Sequence, residues 1–270
     1  KSPLYFLIIS AVINVLLDIV FIIYVGMGVE GCAYATVIAQ AISAILCLIY
    51  IVKKFPILHL KKENFTVSFQ ELGKLLALGI PMALQFSITA IGVIVVQGAI
   101  NVYGENYMAG FSAAGKLQTL VTQGMMAMGQ TMAAYSGQNF GKGDILRIKK
   151  GVKSALLAST VYSIVAAVLI CSLLKPCLGL FFTGDVDITV MLPWAKTYAY
   201  MCAIFYIPLS TIFIFRNTMQ GCGYGFLPMM GGVSELLARL LVAMIAMSVA
   251  SYPLSCFCDP AAWVTAAVFT

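Results

Sequence analysis

The sequence predicts an all-α membrane protein, a polytopic bundle of helices, and three observations carry that expectation: composition, the length of the apolar runs, and the placement of charge. Of its 270 residues, 61% are hydrophobic and 10% are charged, and the mean hydropathy is +0.99. A soluble domain carries about 25% charged residues. With so few charges the chain cannot cover a folded surface in water, so its solvent is lipid. A helix crossing a bilayer takes roughly 20 mainly apolar residues, and stretches of that length recur throughout. Strands spanning an outer membrane would alternate apolar and polar residues over about ten positions. These runs are longer and apolar on every side, which selects helices.

The runs predict seven complete spans, at about 3–25, 31–52, 72–103, 107–137, 154–174, 191–215 and 226–250, and the start of an eighth at 261–270. The third and fourth exceed the bilayer minimum and must tilt, bend or project. Pro81 and Pro208 are expected kinks. The chain opens at Lys1 with an apolar run close behind and stops inside another, so it is expected to be a piece of a longer protein.

Charge sets the orientation. Lys53, Lys54, Lys61 and Lys62 follow the second span, Lys142, Arg147, Lys149, Lys150 and Lys153 follow the fourth, and Arg216 follows the sixth. The opposite loops hold Glu30, Glu105, Asp185, Asp187 and Asp259, with Lys175 the main basic exception. The Lys/Arg clusters all fall on one side, which is the cytoplasmic one. The polar connection 53–71 is the expected linker between two parts, 1–52 and 72–270. It carries His59, the one histidine of the chain, which reads as a solvated loop residue because no metal-ligating cluster surrounds it. A faint internal repeat adds to this division. The interval from Pro3 to Asn14 equals that from Pro228 to Arg239, as expected if one six-helix unit is used twice.

Several function classes are excluded. The net charge of +6 resides in loops between spans and points to no nucleic acid. No phosphate loop is present, since Gly141-Lys142-Gly143-Asp144 lacks its spacing and its Ser/Thr. No H-E-x-x-H or nucleophile elbow appears either. Four of the cysteines, Cys32, Cys47, Cys171 and Cys202, lie within apolar runs and read as small hydrophobes. Cys256 and Cys258 are expected in an outer loop, without partners for a zinc site. No cofactor is expected.

The remaining candidates are ionisable groups inside spans, each costing about 2.5–3.5 kcal/mol on insertion scales unless paired or wet. Asp18 is the most informative. Asn14 precedes it by four residues, so both share one helix face, about 6 Å apart along the axis. Thr36 lies at a similar distance beyond the glycine-rich turn at Gly26, Gly28 and Gly31, so an antiparallel hairpin brings it level with them. Carboxylate, amide oxygen and hydroxyl suit a proton or a hard monovalent cation such as sodium; the alternative is an Asp that locks two helices together. Glu235 and Arg239 form an i, i+4 pair in the favourable acid-first order and read as a structural clamp. Lys196 is placed to snorkel. Lys116, deeper in its span, lines a cavity or pairs with a group outside the chain. Met125 sits in a run with Met126, Met128 and Met132, which serves core packing or a pliable ligand lining. Gln85, Thr89 and their polar neighbours line a wet cavity or join helices.

These residues resemble those of the multidrug and toxic compound extrusion family over nearly the full length. The matching passages are N-V-L-L-D at 14–18, G-V-E-G-C-A-Y-A-T at 28–36, L-G-I-P at 78–81, G-Q-N-F-G-K-G-D at 137–144, and R-N-T-M-Q-G-C-G at 216–223, leading on to Pro228, Glu235 and Arg239. The resemblance implies two pseudo-symmetric six-helix lobes that rock between access states, the first incomplete here. It also implies export of small organic, often cationic, compounds against inward sodium or proton flow, by a monomer in a bacterial inner membrane. In the DinF-like branch the cation site uses positions that look like Asn14, Asp18 and Thr36, together with an Asp on the first helix of that lobe. Another branch places a Glu where Thr89 stands and an Asp on the tenth helix, which has no acid here; this favours the DinF-like branch. A lipid-linked oligosaccharide flippase shares the topology but calls for a more basic cavity than Lys116 supplies. An intramembrane enzyme would need a catalytic constellation that these residues lack.

Overall fold

The computed structural model describes residues 2–59, 68–181 and 188–270, and every regular element among them is helical. Lys61, Lys62, Asp185 and Asp187 lie outside the described residues. The physical reason for an all-helical chain is the solvent. Lipid offers no hydrogen bonds, and a helix satisfies its own backbone.

Two compact units are present, residues 1–68 and 69–270. In the first, α1 (Ser2–Ile19) continues into a π-helical stretch, Val20–Tyr24, and α2 (Val29–Lys54) returns alongside it. The turn uses Gly28 at φ +57, a left-handed value that other residues rarely adopt. Close packing of the hairpin follows from small residues. A Cβ on Gly31 would lie 2.9 Å from that of Phe21. The Ser10 hydroxyl donates to the Ala39 carbonyl at 2.9 Å.

The second unit holds α3 (Phe69–Asn101), α4 (Glu105–Gly141), α5 (Ile145–Phe181), α6 (Ile188–Ile204), α7 (Tyr206–Gly221), α8 (Phe226–Val249), α9 (Tyr252–Cys256) and α10 (Cys258–Phe269). Its core is built on Ile100, Leu117, Met125, Leu178, Cys202 and Tyr206. Large aliphatic side chains remain exposed along α1, α2, α3, α5 and α8. That is the arrangement of a protein whose outer face meets hydrocarbon.

Among the described residues five helices are each long and apolar enough to cross a membrane, and α6 with α7, bent by 52° at their junction, passes the same test as a pair. The bend is explained by Pro208 in the first turn of α7. Proline has no N–H to donate and its ring collides with the carbonyl four residues back, which belongs to Ile204, the last residue of α6. Pro81, the other expected kink, sits inside an uninterrupted α3. The long α4 is not among the apolar five because Gln118, Ser136 and Asn139 are turned into the unit and buried. Polar atoms are tolerated at membrane depth where protein rather than lipid surrounds them.

The expected outer loop around Cys256 and Cys258 is corrected by the structure. Both thiols are fully buried, and the chain there is helical from Tyr252. The last helical segment thus starts nine residues earlier than the apolar run at 261 implies. Tyr252 and Pro253 begin it, and the polar Ser255 and Asp259 mask it from a hydropathy reading.

Candidate functional site

In the first unit, α1 and α2 bring Asn14 and Thr36 together, and Asp18 stands one turn further along α1. Asn14 Nδ2 donates to Thr36 Oγ1 at 3.4 Å, and the Thr36 hydroxyl donates to the Cys32 carbonyl at 2.8 Å. Asn14 and Asp18 are half-buried. The Oδ1 atom of Asp18 is shut off from solvent and has no hydrogen-bond partner among the described residues. The hairpin thus carries a carboxylate, an amide and a hydroxyl within about one helical turn of one another. Among the described residues no three His, Cys, Asp or Glu side chains converge. Two residues after Asp18 the helix widens into its π stretch, a local geometry common beside functional groups.

The second unit contains a chain of four charges. Glu235 on α8 is ion-paired with Arg216 on α7 and approaches Arg239, one turn along its own helix, at 3.6 Å. The shorter contact of Arg239 is to Asp259 on α10, from Nε to Oδ1 at 3.0 Å. Asp259 Oδ2 in turn accepts from the Tyr198 hydroxyl of α6 at 3.1 Å. The sequence reading paired Glu235 with Arg239 alone. The structure places each of them nearer to another partner, so the clamp binds α7, α8 and α10 rather than two turns of one helix. Arg216 and Asp259 were missed because the first counted as a cytoplasmic flank and the second as an outer-loop acid. Asp259 alone carried a signal, since Pro260, Ala261, Ala262 and Trp263 continue an apolar helix directly behind it.

The other candidates separate. Gln85 is buried and holds this same network from α3. It meets Gln220 at 2.9 Å, and with its amide oxygen turned to Arg216 it accepts from Nε at 3.1 Å and Nη1 at 3.2 Å. Thr89 bonds back to the Gln85 carbonyl of its own helix. Met125 is packed into the core. Lys116 lines a cavity of about 380 Å³ between α3, α4, α6 and α10, whose wall also includes Gln97, Gln118, Thr119, Tyr198 and Asp259.

The described residues thus form a helical bundle that holds ionisable groups inside apolar helices. The chain belongs to the MatE family, whose model matches residues 77–245. Among curated proteins it is similar to the "Probable multidrug resistance protein YpnP" of Bacillus subtilis, 32% identical over 55% of this chain and 33% of that protein. It is also similar to an "FAD transporter" of Shewanella oneidensis, 22% identical over 82% of this chain and 49% of that protein. The chain thus spans between a third and a half of the curated relatives it matches. Among solved structures, a MOP superfamily transporter from Pyrococcus furiosus superposes with a TM-score of 0.88 at 19% identity, over 98% of this chain and 59% of that one. That likeness establishes the shared fold.

Proposed function

We propose that the chain is part of a cation-coupled secondary transporter that exports small organic, cationic compounds across a bacterial inner membrane by alternating access, working as a monomer. The observation that carries this reading is the buried, unpartnered Oδ1 of Asp18, one turn along α1 from the contact of Asn14 with Thr36. A carboxylate inside an apolar helix with one buried oxygen that no donor meets is costly to keep charged. Binding a proton or a sodium ion removes that cost, and substrate binding in the other access state restores the charge. Ion and substrate then compete through one conformational cycle. The multidrug resistance name of the Bacillus relative supports the substrate class.

Asp18→Asn in the full-length protein keeps the shape and removes the charge. It is expected to fold, to bind ethidium, and to lose ion-gradient-driven ethidium export from vesicles by at least about tenfold, equivalent to about 1.4 kcal/mol. Thr36→Ala removes one neutral oxygen and is expected to weaken export less. Undiminished gradient-driven export by Asp18→Asn would reduce this carboxylate to a packing residue.

A second reading concerns the substrate. Lys116 lining the cavity of the second unit favours an acceptor-rich, anionic aromatic compound, and the Shewanella relative carries a flavin nucleotide in its name. Parallel export assays with ethidium and with FAD separate the two.

A further inference from the structure

We propose that α4 and α5 hold one anionic phospholipid from the leaflet on the lysine-rich side of the membrane. Its phosphate sits on Lys150, and one acyl chain lies in the groove between the two helices. This site uses different residues from the coupling assigned to Asp18. A recess of about 330 Å³ is walled by Thr131, Met132 and Tyr135 of α4 and by Lys150, Gly151 and Ser154 of α5. Tyr135 shapes it. The Tyr135 hydroxyl donates to the Arg147 carbonyl at 3.0 Å, and its ring occupies the space that a Cβ on Gly151 would fill. The Thr131 hydroxyl is likewise engaged, donating to the Ala127 carbonyl at 2.9 Å. The side-chain donors that remain in the wall are the ammonium of Lys150 and, one turn further along the same helix face, the hydroxyl of Ser154.

Depth identifies the occupant as a lipid rather than a soluble anion. From Ser154 to Leu174, α5 carries 21 uncharged residues between Lys153 and Lys175. That length, about 31 Å, matches a hydrocarbon core of about 30 Å. The recess therefore lies at one edge of the core, where the polar headgroup region begins. Further along, the groove is apolar. Leu157, Val161, Val165 and Leu169 are each more than half exposed. A second cavity, of about 280 Å³, is lined by Leu120 and Val121 of α4 and by Tyr162, Val165 and Leu169 of α5.

Helix geometry puts the two cavities on one line. Gly151 and Tyr162 are eleven residues apart, as are Ser154 and Val165; on α4 the same interval separates Leu120 from Thr131 and Val121 from Met132. Eleven residues make three turns to within about 20°, so both cavities open along the same side of each helix. Tyr162 lies eight residues beyond Ser154, about 12 Å along the axis. One leaflet contributes roughly 15 Å of hydrocarbon, so a chain anchored at Lys150 reaches the second cavity.

Charge selects the headgroup. Lys142, Arg147, Lys149, Lys150 and Lys153 stand against one acid in this stretch, Asp144. Asp144 is turned to the start of α5, where it accepts from the Arg147 N–H at 2.9 Å. Each basic side chain near a membrane surface strengthens the hold on an anionic lipid about fivefold. A zwitterionic headgroup brings its own cation, which the same lysines repel.

Native mass spectrometry of the full-length protein, stripped of lipid in a neutral detergent, counts bound lipid without any transport assay. The protein is expected to take one phosphatidylglycerol at least about fivefold more tightly than phosphatidylcholine of the same chain length. Lys150→Gln is expected to weaken that binding about fivefold. Ser154→Leu fills the recess without changing charge and is expected to weaken it too. Both positions are exposed, so these variants are expected to fold. Lys142→Gln removes a charge outside the recess and is expected to leave the binding nearly unchanged. Equal losses in Lys150→Gln and Lys142→Gln would reduce the site to a diffuse basic surface and overturn the proposal, as would equal affinity for the two lipids or unchanged binding by Ser154→Leu. Inorganic phosphate added in millimolar excess is expected to displace nothing; loss of the bound lipid to it would overturn the assignment to a phospholipid.

Discussion

Glu235 shows how a single buried residue is defined by what surrounds it. It carries one charge and faces two arginines, Arg216 closely and Arg239 at 3.6 Å. Removing one partner of a buried ion pair costs about 3–5 kcal/mol, because the other is left charged and alone. Glu235→Gln is therefore expected to lower the folded yield sharply, as read by fluorescence-detected size exclusion. Adding Arg216→Met is expected to restore more of that yield than adding Arg239→Met, since Arg239 keeps Asp259 and Arg216 keeps only amides. Equal rescue by the two would contradict the order of contacts. The i, i+4 spacing of Glu235 and Arg239 was legible because it is local to one helix. The partners that dominate, 19 and 20 residues away, were not, because periodicity within a helix carries no information about which neighbour faces it. The meeting of Asn14 with Thr36 was legible for the opposite reason: a short glycine turn makes the pairing of two adjacent helices nearly a matter of counting.

At the scale of elements, the apolar runs located the helices closely, and the departures have local causes. The sixth span divides at Phe205 because Pro208 denies the ladder one donor. The last helical segment begins at Tyr252 because buried polar residues interrupt its hydropathy without interrupting its backbone. The crossing of α4 and α7 depends on glycine. A Cβ on Gly137 would lie 3.0 Å from the Gly221 carbonyl, and one on Gly129 would lie 2.9 Å from that of Phe213. Close approach of backbones through small residues is how helices associate without a hydrophobic driving force. Gly129→Val is thus expected to destabilise the second unit by about 1–3 kcal/mol through overpacking, seen as a lower melting temperature, while Gly141→Val, where a Cβ meets nothing within 4 Å, leaves it nearly unchanged. Similar losses for both would argue against the crossing.

For the whole molecule, the charge pattern makes a prediction independent of any contact. In a cysteine-free full-length background, a cysteine at Ser68 is expected to resist a membrane-impermeant reagent added from outside, and one at Asn106 to react, because the Lys-bearing connections stay cytoplasmic. The reverse pattern would overturn the orientation. Composition alone determined that this protein lives in lipid, that it crosses as helices, and which of its loops carry the retained charge, because the cost of an unsatisfied backbone or a bare charge in hydrocarbon depends on residue type and order. Tertiary structure alone decided that Arg216 and Asp259 join Glu235 and Arg239, that Gln85 braces them, and that Asp259 opens on a cavity. Those facts depend on how α3, α6, α7, α8 and α10 rotate against one another, and a uniformly apolar helix leaves its own rotation undetermined until its neighbours are packed around it.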